Sequence, residues 1–219
     1  AAMPEQLAIA DLRTEFAGIS QMSKGDAASV VGPGELAKGY IERNTSQLQF
    51  TATHLFGPSL GADSWAVVGE IGGVRINNMP EYDEMRLNVS GTGRSGIMQG
   101  PGSSDYSALH MALSNGPEQK SFATASSWGY RLIAKGDYFN IYNGINFSPR
   151  FVFSHDVNGN TPDPMFLFIE DRKSLGATMS FNYQNAWSLD VSYNSFWGGG
   201  DTNTFSDRDY VSFNLKYSI

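Results

Sequence analysis

The stretch Asp209-Tyr210-Val211-Ser212-Phe213-Asn214-Leu215-Lys216-Tyr217-Ser218-Ile219 decides how the chain reads. Val211, Phe213, Leu215, Tyr217 and Ile219 fall on one side of it, and Ser212, Asn214, Lys216 and Ser218 on the other. Successive side chains of a strand point to opposite faces, so this unbroken period of two predicts a strand with one apolar and one polar surface. Immediately upstream, residues 187–197 repeat the pattern. Trp187, Leu189, Val191, Tyr193 and Trp197 share one face; Ser188, Asp190, Ser192 and Asn194 share the other; Ser195 is the polar residue on the apolar side. At ~3.3 Å per residue and a tilt of ~40°, the separation of the two tryptophans spans ~25 Å, the height of the apolar band between the aromatic girdles of a membrane barrel. A strand in a soluble sandwich is typically ~5–6 residues long and has no reason to carry Trp at both ends.

Further segments alternate in the same way. In 171–184, Leu175, Ala177, Met179, Phe181 and Tyr183 oppose Ser174, Thr178, Ser180 and Asn182. In 145–155, Ile145, Phe147, Phe151 and Phe153 oppose Asn146, Ser148, Arg150 and Ser154, and Pro149 predicts a bulge or a local break in the ladder. In 122–138, Trp128, Tyr130, Leu132 and Ala134 oppose Ser127, Gly129, Arg131 and Lys135, with Ile133 as the apolar exception. Residues 46–56 and 64–77 supply two more strands. In the second, Gly72-Gly73 predicts a bulge that turns Val74 and Ile76 outward and Arg75 inward. The connections alternate in length: 57–63, 139–144 and 185–186 are short, and 78–121, 156–170 and 198–208 are long. Membrane barrels have short periplasmic turns and longer external loops, so all six connections fit if the last strand ends in the periplasm.

Composition agrees. The chain has 219 residues, no cysteine, 24 Gly, 14 Phe, 10 Tyr and 4 Trp, and a net charge of −7. Disulfides, zinc-thiolate sites and cysteine nucleophiles are excluded. An acidic chain lacks the clustered cations that phosphate backbones require, which argues against nucleic acid as a partner. No apolar run approaches the ~20 residues of a membrane helix. The mildly polar mean hydropathy is what alternating lipid-facing and lumen-facing residues produce. The expected fold class is therefore an all-β, antiparallel transmembrane β-barrel over 46–219, with a helix-containing loop or plug-like segment over 1–45. In that segment Ile9, Leu12, Phe16 and Ile19 recur at helical spacing between Pro4 and Gly25. Seven strands is an odd count where single-chain bacterial barrels have an even one. Strands preceding Ala1, in a longer polypeptide, or a strand within 26–45 would restore it. No secretory signal is visible at Ala1–Ala10.

Several constellations are candidates for function. Arg131, Lys135, Arg150, Asp190 and Lys216 are expected to face the lumen, with Glu70 and Asp137 beside them. Pairing 197 with 209 places Asp190 opposite Lys216, an expected ion pair. Arg131, Lys135 and Arg150 read either as a basic lumen stripe or as partners that rigidify the wall. Trp65, Trp128, Trp187, Trp197 and Tyr217 are the expected interfacial girdle. Asp156, Asn158 and Asn160, around Gly159, place oxygens at alternate positions as a calcium loop does. Leu167 stands where such a loop needs Glu, so an Asx-Gly turn is expected and no metal or other cofactor. Ser154, His155 and Asp156 are consecutive and cannot converge from a strand, so no catalytic site is expected. The Gly91–Gly116 loop, with Met98, Tyr106, His110 and Met111, reads as a constriction, a partner surface or a disordered stretch.

Gly39-Tyr40-Ile41-Glu42-Arg43, Gln47-Leu48-Gln49, Thr51-Ala52-Thr53, Phe56-Gly57, Leu60-Gly61-Ala62, Ser127-Trp128-Gly129-Tyr130-Arg131, Ser154-His155-Asp156-Val157-Asn158-Gly159 and Asp207-Arg208-Asp209 together carry a resemblance. The chain resembles an uncharacterised proteobacterial outer-membrane β-barrel family, a domain of unknown function, over most of 39–219, as the C-terminal portion of longer members. The resemblance implies a Gram-negative outer-membrane location. Its implied partners are outer-membrane lipid and lipopolysaccharide, the barrel-assembly machinery, and a periplasmic carrier or RND-type exporter. Ile219 departs from the Phe or Trp that usually ends such barrels, which weakens the expected assembly signal. The function expected is a porin-like channel or transport component for a hydrophobic or lipidic substrate. The alternative is a structural or interaction barrel that binds through its external loops and has no conducting pore.

Overall fold

The computed structural model describes residues 42–80, 87, 89 and 122–218. The helix expected between Pro4 and Gly25 and the Gly91–Gly116 loop lie outside these residues. Among them the fold is all-β: one seven-stranded antiparallel sheet in which each strand neighbours the next in sequence. The strands are β1 (Thr45–Phe56), β2 (Ser64–Ile76), β3 (Ser126–Tyr142), β4 (Ile145–Asn158), β5 (Lys173–Tyr183), β6 (Trp187–Trp197) and β7 (Tyr210–Tyr217). A short 3-10 turn, Gly200–Thr202, interrupts the β6–β7 connection. Among the described residues β1 and β7 each pair on one side only, so the sheet is open. Because consecutive strands alternate in direction, the short connections leave one end of the strands and the long ones the other.

Local chemistry explains the short connections. Asn143 and Gly144 have φ of 46° and 86°. A two-residue hairpin of this type needs positive φ at both positions, which Asn-Gly supplies. The connection is thus tighter than the expected 139–144, and β3 runs on to Tyr142. Asn140 (φ 51°) makes this possible: two extra residues bulge out of β3 between Tyr138↔Phe147 and Tyr142↔Ile145. The bulge is pinned from both sides, since Asn140 N donates to Asn146 Oδ1 at 2.9 Å and Gly144 N to Asn140 Oδ1 at 2.8 Å. The β5–β6 turn uses positive φ at Gln184 and Asn185, with Asn185 N donating to Asn182 Oδ1.

Pro149 produces a break in the β3–β4 ladder and not a bulge. Pairing steps from Lys135↔Arg150 to Tyr138↔Phe147, three residues on each strand, so the register stays in step. The register with β5 passes through Pro149↔Met179 without a shift. Proline has no N–H to donate, and the missing bond falls on the β3 side alone.

Two compact units make up the chain. The first takes in described residues 42–46, 74–80, 87, 89, 122–127 and 159–169 and has a small interior. Val74, Ile76, Leu87, Val89, Phe122, Ala123 and Ile169 are buried there, and Met79 packs on Leu87 and Ala123. This corrects the outward placement of Val74 and Ile76. Each is 4% exposed, and Ile76 N donates to Ala125 O at 2.8 Å. Their apolar surface is taken up by the unit's own interior. Polar groups there are satisfied: the Thr161 hydroxyl accepts from Leu167 N and Phe168 N, both at 3.0 Å, and donates to Phe168 O.

The second unit takes in 47–73, 128–158 and the described residues from 170 onward, and so most of the sheet. It has almost no interior. Among its described apolar side chains only Ala62 and Pro149 are buried, while Val211 is 70% and Phe213 79% exposed. Polar groups secure its connections: the Thr202 hydroxyl and Asn203 amide bond Gly199 O and Gly198 O.

Candidate functional site

Register stacks the side chains of one face of β3–β7 into rows. Nearest the short connections, Tyr142, Ile145, Tyr183, Trp187 and Tyr217 align, and the Trp187 and Tyr217 rings lie 4.5 Å apart. Above them stand Tyr138, Phe147, Phe181, Leu189 and Leu215, with Phe147 and Phe181 5.0 Å apart. Pro149, Met179, Val191 and Phe213 follow, then Ala134, Phe151, Ala177, Tyr193 and Val211. Leu132, Phe153, Leu175 and Ser195 come next. The last row, at the long-connection end, is Tyr130, His155, Lys173 and Trp197. An apolar band is therefore bounded at both ends by aromatic rows. Trp187, Tyr217 and Trp197 lie in those terminal rows. Trp65, near the start of β2, donates its indole NH to Ser59 O at 3.2 Å, and its ring meets Tyr138 edge-on. Gly136 makes room for that ring, since a Cβ there would come within 3.0 Å of it. Trp128 stands at the opposite end of β3.

The other face is polar. Lys135, Arg150, Thr178, Ser192 and Ser212 form one row across it. Lys135 Nζ lies 2.8 Å from Asp137 Oδ1, which also accepts from Ser148 Oγ at 2.7 Å. Arg131 faces Ser154 two rows further up, and among the described residues neither Arg131 nor Arg150 has a carboxylate partner. Glu70 accepts from Gln49 Nε2 at 2.7 Å.

The expected Asp190–Lys216 pair does not form. Asp190 lies opposite Asn214, and Lys216 opposite Ser188. The register is two residues away from the one that pairs 197 with 209, because Asp209 is used differently. Its carboxylate accepts from Phe196 N at 2.8 Å, Ser195 Oγ at 2.7 Å and Tyr193 Oη at 3.0 Å. Ser195, the polar interruption of the apolar stripe, is explained by this latch.

The Phe196 N–H, the Ser195 hydroxyl and the Tyr193 hydroxyl hold the Asp209 carboxyl below the usual carboxylate range. A depressed folded value means that the latch contributes stability above the unfolded value of about 3.9 and loses it as pH falls through the lower folded value. Amide exchange at Phe196 is therefore expected to lose protection only in strong acid in the natural protein. In Asp209→Asn it is expected to be weakly protected already at neutral pH. Equal protection in the two proteins would dismiss the latch.

Sequence reasoning also missed a polar junction where β4 ends and β5 begins. Arg172 donates from Nε at 2.7 Å and reaches from Nη2 at 2.6 Å to Asp156 Oδ2, and Asp171 N donates to Asp156 O at 2.8 Å. Asp171 is paired with Lys173, which holds its carboxyl low, and lies 3.8 Å from His155 Nε2. The signal was present in Lys173, a cation at the head of an apolar stripe. The calcium candidates are committed elsewhere: Asp156 to Arg172, and Asn160 Nδ2 to Phe122 O, while Asn158 ends β4 exposed. Among the described residues no group of three or more His, Asp or Glu side chains is placed to hold a metal ion. Ser154 bonds Ser174 at 2.7 Å, on the face opposite His155, whose Nδ1 lies 3.4 Å from Tyr130 Oη.

No curated protein and no solved structure matches the chain. A family model described as "Protein of unknown function (DUF1302)" matches residues 3–219. With nearly its whole length matched, the chain belongs to the DUF1302 family.

Proposed function

We propose that the seven-stranded sheet is a section of the wall of a transmembrane β-barrel in a Gram-negative outer membrane, and that the barrel acts as a channel or transport component. The observation that carries this reading is the apolar face bounded by two aromatic rows. From Trp187 to Trp197 the rise matches the ~25 Å apolar band of such barrels. Phe213, Val211, Leu215 and Val191 are all exposed on one face, and soluble monomers rarely leave contiguous apolar patches larger than a few hundred Å² in water. Hydrocarbon removes that cost, and the opposite face, lined with Ser, Thr, Asn and charge, suits water. Transport of a hydrophobic or lipidic substrate beside an RND-type exporter rests on the resemblance of the sequence to an outer-membrane family.

A second reading, an interaction barrel without a pore, draws on the first unit. Its loop residues have an interior of their own, which a partner-binding surface needs to hold its shape. Planar-bilayer recording of the intact protein separates the two. Stepwise conductance is the expected result; folded, inserted protein without steps would favour the second reading.

A further inference from the structure

We propose that Arg150 and Lys135 form an anion-binding site on the polar face, for a ligand carrying a phosphate or similar oxyanion; this rests on the reading of that face as a lumen wall. The two residues are paired directly across β3 and β4. Directly opposed Cβ atoms lie ~4.5–5.5 Å apart, where like charges repel. An oxyanion between them removes that repulsion.

The surrounding groups leave the pair with a positive balance. Asp137 engages Lys135 and Ser148, which neutralises one cation and leaves Arg150 without a carboxylate among the described residues. On its other side Arg150 faces Thr178, whose Oγ1 accepts from Ser192 Oγ at 3.1 Å. The row therefore sets a planar five-donor guanidinium and an ammonium beside two hydroxyls, a donor set that matches phosphate oxygens. The next row toward the long connections offers Ile133, Val152 and Gly176. A Cβ on Gly176 would come 3.1 Å from Asn194 Oδ1, so the apolar step there is kept low. Arg131, beyond that step, supplies a further cation along the same face. Anions are thus favoured at this place on a chain whose net charge is −7.

The test is calorimetric titration of tripolyphosphate into the intact protein in uncharged detergent, at low salt. Arg150→Gln and Lys135→Gln are each expected to weaken binding at least tenfold, while Lys216→Gln, at the short-connection end of β7, changes it less than twofold. No binding, or equal loss in all three variants, overturns the site. Reversal potentials across a salt gradient then test the lumen separately. Anion preference that falls in Arg150→Gln supports both claims; cation preference unaffected by Arg150→Gln overturns the site and leaves the channel standing.

Discussion

Val191→Arg is expected to cost about 2–4 kcal/mol of folding stability in a bilayer, whereas Ser192→Arg, one residue along the same strand, is tolerated. Val191 lies in the middle rows of the apolar face, between Met179 and Phe213. Trp187 and Trp197 stand on either side of it at the ends of β6. In the proposed membrane wall, an arginine at that height would sit near the bilayer midplane, too far from either interface to extend its guanidinium to water without a penalty. Ser192 shares the polar row with Thr178 and Ser212, where in the same proposed wall a cation would meet water. Urea unfolding of the protein reconstituted in lipid vesicles measures the difference. Equal costs at the two positions would mean that both faces meet the same medium, as in a soluble sandwich.

Gly159→Ala carries the second large effect, on the first unit. Gly159 has φ of 80°, a conformation that L side chains adopt at a cost of ~1–2 kcal/mol. A Cβ there would also come within 2.1 Å of Ser126 O, 2.7 Å of Thr124 Oγ1 and 2.9 Å of Ser127 Cα. Two of these three are backbone atoms held by pairing and cannot swing aside. Thr124 is fixed as well: its N donates to Asn160 O, and its hydroxyl accepts from Asn160 N, both at 2.9 Å. Strain and overlap together are expected to exceed about 3 kcal/mol and to open the segment around 159–169. Limited proteolysis reads this directly, with new cleavage between Gly159 and Ile169 in the variant. Gly57→Ala is the control, since a Cβ at Gly57 meets nothing within 4 Å. Indistinguishable digests of the two variants would contradict the packing described.

Strand identity was legible because the period of two is strict wherever one face is apolar and the other polar. Trp187–Trp197 has the same bounds in sequence and structure. Ends were less legible where a side chain decides the backbone path. Asn143-Gly144 is a strong hairpin signal, yet the bulge at Asn140 that carries β3 up to it depends on Asn146 from the neighbouring strand. Register failed for the same reason at Asp209. Alternation constrains register to even shifts, and a shift of two keeps every face assignment intact. The choice between Lys216 and Asn214 opposite Asp190 was settled by Trp187 meeting Tyr217 and by Asp209 turning its carboxylate to Phe196 N.

The first unit was the least legible part. Its interior joins Leu87 to Ala123, and its pairing joins Val89 to Pro162, contacts that no local periodicity encodes. Val74 and Ile76 continue a strand pattern that looks outward in sequence, yet both are buried, and Ile76 N donates to Ala125 O far along the chain. The basic row was half legible. Arg131, Lys135 and Arg150 were expected on one face, but the direct opposition of Lys135 and Arg150 is a fact of the β3–β4 register.

One face of β6 is expected to meet hydrocarbon and the other to meet water. This chain has no cysteine, so a cysteine placed at any position from 187 to 197 is its single label. Each variant of the intact protein, labelled with an environment-sensitive fluorophore, is reconstituted with lipids carrying a nitroxide quencher midway along the acyl chain. The expected result is quenching that alternates with a period of two, strongest at 191 and 193, falling toward 187 and 197, and weak at 190, 192 and 194. Quenching that does not alternate, or a water-borne quencher that reaches 191 and 192 equally, would contradict it.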